Sequence, residues 1–152
     1  SLESCGADVA VGVGDGSVQA GGLVGCNSGG IANCCALGAV HGGAESGWLG
    51  GLAGICEGSL TYCYAAGDVG RTSAAAVPYE EIGGLVAEAF FYSTITSCYF
   101  LGPENEHGTR LSAEQMKQQD SFVGWDFETV WTICTGRGYP RLRWEKIDCN
   151  EP

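Results

Sequence analysis

Cysteine is the residue type with the most capacity for chemistry in this 152-residue chain, which carries nine of them. No two form a CxxC pair, and Cys34-Cys35 has no further ligand at zinc spacing, so a structural zinc site is not expected. Cys5, Cys34, Cys63 and Cys98 recur at near-constant intervals, which makes them candidates either for disulfides or for a column of small reduced hydrophobes. Cys26 and Cys56 fall one residue out of step with each other and are weaker partners. Cys134 and Cys149 stand apart in the C-terminal segment and form the natural pair there. An odd total leaves at least one thiol free or bonded between molecules. Cysteine use at this density points to an oxidising, extracellular or cell-surface compartment.

Other reactive groups are few. His41, in Val40-His41-Gly42, has glycine as its counterpart one interval later and reads as a solvated turn residue. His107 lies in the polar stretch Pro103-Glu104-Asn105-Glu106-His107-Gly108, where a Cys–His nucleophile pair would compete with disulfide use of the thiols. Asp126 and Glu128 could act as a carboxylate pair, but salt bridges to Arg141 or Arg143 are the expected use. Asp15, Glu80 and Glu81 could meet calcium, yet no EF-hand or nonapeptide loop surrounds them. No Gly-x-Ser-x-Gly elbow is present. Catalytic, cofactor and metal residues are therefore expected to be absent. Phe90-Phe91-Tyr92 is the most suggestive surface feature: at a loop tip it would suit glycan stacking or a subunit contact. Packing beneath the tail or beneath an insertion at 72–79 is the favoured alternative.

What must position these residues is a repeat. Gly21-Gly22-Leu23-Val24-Gly25 returns as Gly50-Gly51-Leu52-Ala53-Gly54 and again as Gly83-Gly84-Leu85-Val86-Ala87. The first interval is ungapped and carries Ile31 to Leu60, Cys34 to Cys63, Ala36 to Ala65 and Val40 to Val69. The third copy gains two residues near Phe90-Phe91-Tyr92, and Ser4-Cys5 with Val11 mark a partial copy upstream. A period near 30 residues, broken by glycine every few residues, cannot be helical. Units this small cannot bury an apolar face alone, so copies must stack, with equivalent residues ~4.8 Å apart.

The expected fold is all-β: a parallel β-solenoid of about three and a half coils over 1–102, with a partial coil at 1–20 and copies starting near 21, 50 and 83. Its apolar columns are Ala20/Leu49/Ile82, Leu23/Leu52/Leu85, Ile31/Leu60/Ile95 and Val11/Val40/Val69. Strict alternation would put Ile31 and Cys34 on opposite faces although both look buried, so a bend near Asn33, Tyr62 and Ser97 is required.

The glycine period stops near Gly102-Pro103, and 103–152 reads as a small α+β cap. One short helix is expected at 111–119, with Ser112 and Gln115 forming a capping box. Aromatic β-prone runs follow at 122–127 and 130–133, with an edge-like segment at 139–144. This unit should cover the last coil and block strand addition there. The N-terminal coil has no such cover and should dock against an upstream repeat or a second copy.

Composition limits the partners. Eighteen acids against seven bases give a net charge of −11, which excludes most nucleic-acid and anionic-membrane roles. No apolar run approaches a membrane span. Ser1 opens no basic-then-apolar signal segment, as in a mature product whose signal has been removed.

Gly-Gly-Leu-Val-Gly-x-Asn followed by Ile-x-Asn-Cys-x-Ala-x-Gly-x-Val resembles the GLUG-motif repeat of large secreted and surface bacterial proteins. The tail motifs Leu111–Met116, Gly124-Trp125-Asp126-Phe127, Val130-Trp131 and Tyr139-Pro140-x-Leu142-x-Trp144 are similar to the segment that closes such arrays. The resemblance covers nearly the whole chain and implies structural or adhesive roles without catalytic residues. At Ala87-Glu88-Ala89-Phe90-Phe91-Tyr92 the chain departs from the family's turn. Glycan binding or processing is the rival expectation, although β-helical lyases want a basic residue in the groove and the first one here is Arg71.

Overall fold

The computed structural model describes residues 1–72 and 81–151, and it is almost entirely strand and turn. Five parallel sheets are built one strand per repeat. One sheet stacks Leu2–Glu3, Gly30–Ala32, Ser59–Thr61 and Thr94–Thr96. The next stacks Gly6–Ala7, Cys35–Ala36, Tyr64–Ala65, Tyr99–Phe100 and Thr109–Arg110. The remaining three comprise Val11–Val13 with Val40–Gly42 and Val69–Arg71, Gln19–Gly21 with Trp48–Gly50 and Ile82–Gly83, and Val24–Asn27 with Ala53–Cys56 and Val86–Ala89. The chain visits the sheets in the same order each time, an arrangement that fits a β-helix.

The register matches the repeat. Ile31 pairs with Leu60 and Leu60 with Ile95, Val11 with Val40 and Val40 with Val69, Ala20 with Leu49 and Leu49 with Ile82. Leu23 donates its backbone N–H to Leu52, and Leu52 to Leu85. The third copy's extra residues fall between the pairs Cys56–Ala89 and Ser59–Thr94, at the Phe90–Tyr92 turn. Ile31, Leu52, Leu60, Leu85 and Phe100 line one core with Cys34, Cys63 and Cys98, and Val40, Leu49 and Ala20 line a second.

The required bend is a left-handed corner. Ser4, Asn33, Tyr62 and Ser97 adopt φ of 52°, 53°, 54° and 48°, in the same place in each copy. That conformation resets the alternation, so Ile31 and Cys34 both face the core while Cys35 faces out. L-residues pay roughly 1–2 kcal/mol for it. Because Ser97 contributes only its backbone carbonyl to the tail, through Trp125, its side chain can be tested alone. Ser97→Gly should be neutral or slightly stabilising in urea denaturation, and Ser97→Val should cost about 1–2 kcal/mol, since a β-branched residue tolerates positive φ worst.

The C-terminal segment divides its labour differently from the expected end cap. Residues 103–110 close the last rung. The Gly84 N–H donates to the Pro103 carbonyl at 2.7 Å, the Asn105 amide donates to the Val86 carbonyl at 2.7 Å, and Thr109–Arg110 adds a strand beside Tyr99–Phe100. The rest does not sit on the end. It runs back along the outer face of the Tyr64 sheet, where Met116, Phe122, Trp125, Trp131 and Leu142 pack on Cys35, Tyr64 and Tyr99. Three indoles mark the descent: Trp125 donates to the Ser97 carbonyl at 2.9 Å, Trp131 to Asn33 Oδ1 at 3.4 Å and Trp144 to the Ser4 carbonyl at 3.0 Å. The tail is a clasp along the side of the stack.

No α-helix forms among the described residues, and the cap is not α+β. The Ser112–Gln115 box is present, with N–H donors to Gln115 Oε1 at 2.8 Å and Ser112 Oγ at 3.1 Å. Only 3-10 turns follow, at Gln115–Lys117 and Gln119–Ser121, with Gln118 extended between them. Met116 and Phe122 are both buried in the clasp, and six residues of α-helix would point them about 120° apart. The extended Gln118 lets both turn onto the same surface. The run at 122–127 is likewise irregular, turning at Gly124 with φ of 81°. Trp131–Thr132 does form a strand, antiparallel to Arg141–Leu142.

Candidate functional site

Cys5, Cys34, Cys63 and Cys98 do form a column, but as free thiols. Their local geometry accounts for this. Each thiol points back across the left-handed corner to the carbonyl two residues earlier: Cys5 to Glu3 and Cys63 to Thr61 at 3.3 Å, Cys34 to Ala32 at 3.1 Å and Cys98 to Thr96 at 3.3 Å. A corner that breaks the ladder needs a small donor there, and cysteine supplies one without the bulk of a larger polar group. Of the two uses open to this column, the reduced one is seen: four parallel thiol–carbonyl contacts stand where disulfides such as Cys5–Cys34 or Cys63–Cys98 could have formed. Cys134 and Cys149 are bonded, with Cα atoms 5.2 Å apart, and tie the end of the clasp.

The thiols differ in reactivity. The hydrogen bond with Cys63 and then burial push Cys34 far up, and burial pushes Cys35, under the clasp, up to about 12. Cys63 is lowered by its bond with Cys34, but its bond with Cys98 and burial outweigh that and leave it raised. The Cys63 bond holds Cys98 below the ordinary thiol value, although Cys98 is buried. Cys26 is exposed. Because the thiolate is the nucleophile, iodoacetamide on the native protein should label Cys26 first and half-exposed Cys5 next. Cys34, Cys35, Cys56, Cys63 and Cys98 should label only on denaturation, as read by peptide mass mapping.

Among the candidate carboxylates, Asp126 closes a turn. It accepts from the Glu128 and Thr129 N–H groups at 2.8 Å and from the Thr129 hydroxyl, and these bonds hold it below the usual carboxylate range. The expected partner Arg141 instead meets Glu145 at 2.7 Å and Asp8 at 3.8 Å. Arg143 donates to the Phe127 carbonyl at 2.7 Å. His41 is exposed as expected, but it lies within the strand Val40–Gly42 and not at a turn. Asp15 accepts the Ala44 N–H at 2.8 Å from the next copy, while Glu80 lies outside the described residues.

The aromatic turn is not packed beneath the tail. Phe91 is 96% exposed and Tyr92 56%, so the favoured packing alternative fails there; the insertion at 72–79 lies, beyond Thr72, outside the described residues. Phe90 and Tyr92 stack with centroids 5.6 Å apart, and Phe91 meets the edge of Tyr92 at 5.0 Å. This makes a three-ring platform on an outward turn.

Beside it is a hollow that the sequence did not single out. Glu81, Glu88, Asn105, Glu106 and His107 line it, and it shares Ala89, Glu106 and His107 with the groove under Phe90. One ligand atom from each of Glu81, Glu88 and His107 lies within 4.8 Å of the others. Burial and then the Glu88 charge raise the Glu81 carboxyl. A raised carboxyl favours folding below its unfolded value and loses that contribution as pH climbs through the folded value, so the ionised Glu81 carboxylate adds nothing to the fold at neutral pH. Glu81 and His107 were weighed singly in the sequence; the signal passed over was Glu88, a charge in the position held by Cys26 and Ile55 in the earlier copies.

No helix of the described residues is long and apolar enough to cross a membrane. Compared with family models, curated proteins and solved structures, the chain matches none of them.

Proposed function

We propose that the chain is a non-catalytic structural or adhesive module of a secreted or surface-attached protein, a parallel β-solenoid of about three and a half coils in the manner of GLUG-like repeats. The observation that carries this reading is the asymmetry of the two ends. Segment 103–110 closes one end, whereas Leu2–Glu3, Gly6–Ala7, Val11–Val13, Gln19–Gly21 and Val24–Asn27 are all edge strands at the other. Leu2, Val9 and Val18 are exposed at that end. Open parallel edges recruit more strand, so the occupant is a further coil, supplied by an upstream repeat or a second copy. The Cys134–Cys149 bridge is compatible with an oxidising compartment. Sedimentation of the native protein in non-reducing buffer tests self-association. Mass that grows with concentration supports it, and a monomer at every concentration removes the self-assembling version.

Glycan binding is the second reading, favoured by the exposed Phe90–Tyr92 platform, because ring faces stack on sugar C–H surfaces. Retention on a polysaccharide panel that is lost in Phe91→Ala supports it. Equal retention of both proteins, or none, removes it.

A further inference from the structure

We propose that Glu81, Glu88 and His107 bind a divalent first-row transition-metal ion that fastens the end-closing segment to the last full circuit of the stack. The three groups come from three places: Glu81 precedes the strand Ile82–Gly83, Glu88 sits on Val86–Ala89, and His107 belongs to the segment that closes the end. Their ligand atoms already lie within 4.8 Å of one another, the span over which a single ion can be shared.

The set is also held in place. Asn105 donates its amide to the Val86 carbonyl at 2.7 Å and the Ala87 carbonyl at 3.4 Å, next to Glu88. Its side-chain oxygen accepts the His107 N–H at 3.2 Å. One asparagine thus fixes the backbone on both sides of the hollow, the kind of outer support that ligand sets rely on. Glu81 and Glu88 bring two carboxylates of like charge within 4.8 Å of each other. A cation relieves that repulsion. Glu106 lines the same hollow and adds negative charge.

Donor chemistry sets the class of ion. One imidazole with two carboxylates suits zinc, manganese or cobalt, whereas calcium prefers an all-oxygen shell of six to eight ligands. Three protein ligands leave at least one position for water.

The test uses Co2+, because its spectrum separates this site from the thiols. The full chain, freed of metal, is titrated and its absorption followed, with thermal melting in parallel. The expected result is one Co2+ per chain, weak visible d–d bands without the near-ultraviolet thiolate charge-transfer band, and a rise in melting temperature. His107→Gln and Glu88→Gln should each weaken uptake by at least about tenfold. Glu88→Gln should melt at or slightly above the wild type in metal-free buffer, since it removes the carboxylate repulsion, so its loss of binding cannot be loss of fold. No uptake, equal uptake by the variants, or a thiolate band overturns the proposal.

Discussion

Gly51→Ala is expected to stop the chain from folding, while Gly12→Ala leaves stability within about 0.5 kcal/mol. Both glycines sit in the repeat, and composition alone would treat them alike. A Cβ on Gly51 would strike the Gly84 carbonyl oxygen of the next copy, come within 3.0 Å of the Gly84 carbonyl carbon and lie 2.9 Å from Ala65 Cβ. None of these can swing aside. Gly51 is also threaded into the stack, accepting from the Gly22 N–H at 3.2 Å and donating to the Gly83 carbonyl at 3.0 Å. Making room would separate two rungs, so the loss should exceed about 4 kcal/mol, the range reserved for gross disruption of a core. Gly12, on the exposed face of Val11–Val13, has nothing within 4 Å of its would-be Cβ. Soluble yield and circular dichroism decide the first and urea denaturation the second. A folded Gly51→Ala protein of ordinary stability would mean that the rungs are not stacked at this corner.

The same corner explains why the repeat could be read from the residues. Gly-Gly-Leu recurs because backbone crosses backbone at 22 and 51, and the Phe100 ring and the Pro103 carbonyl crowd 84 in the same way, while the leucine after it is the side chain that fills the interior. The left-handed corner was legible for a similar reason: two buried columns three residues apart contradict strand alternation unless one residue between them turns over. Both are constraints that act once per copy, so sequence periodicity displays them. The clasp acts only once. Its anchors Met116, Phe122, Trp125 and Trp131 follow neither period 2 nor period 3.6, because they are spaced to reach successive rungs of a surface built elsewhere in the chain. The hollow was hidden for the same physical reason, since Glu81, Glu88 and His107 converge only after the third copy has lengthened and the segment 103–108 has folded over the end. Spacing left the state of the thiols open because it fixes the separation of backbones but not the direction of each sulfur, and here each sulfur already has a carbonyl of its own.

Removing the Trp131 side chain is expected to cost about 3–5 kcal/mol, the range for a fully buried tryptophan cut to alanine. Trp131 is wholly buried, lies 4.5 Å from Trp125 and 6.0 Å from Tyr64 between ring centroids, and donates to Asn33. Its position decides between two pictures of the tail. A plug on the last rung would leave the second circuit untouched when weakened. A clasp along the side instead shields Cys35 and Tyr64, and Cys35 is only 1% exposed beneath it. Trp131→Ala should therefore make Cys35 open to iodoacetamide in otherwise native buffer, while Cys34, one residue away but facing the interior, stays protected. Trp144→Ala is the contrast: that ring is 60% exposed and gives one indole hydrogen bond to the Ser4 carbonyl, so its loss should cost about 1 kcal/mol. Peptide mapping after labelling reads the difference directly. Labelling of Cys34 together with Cys35 would mean the repeat core depends on the tail, and continued protection of Cys35 would mean the clasp is not held at Trp131.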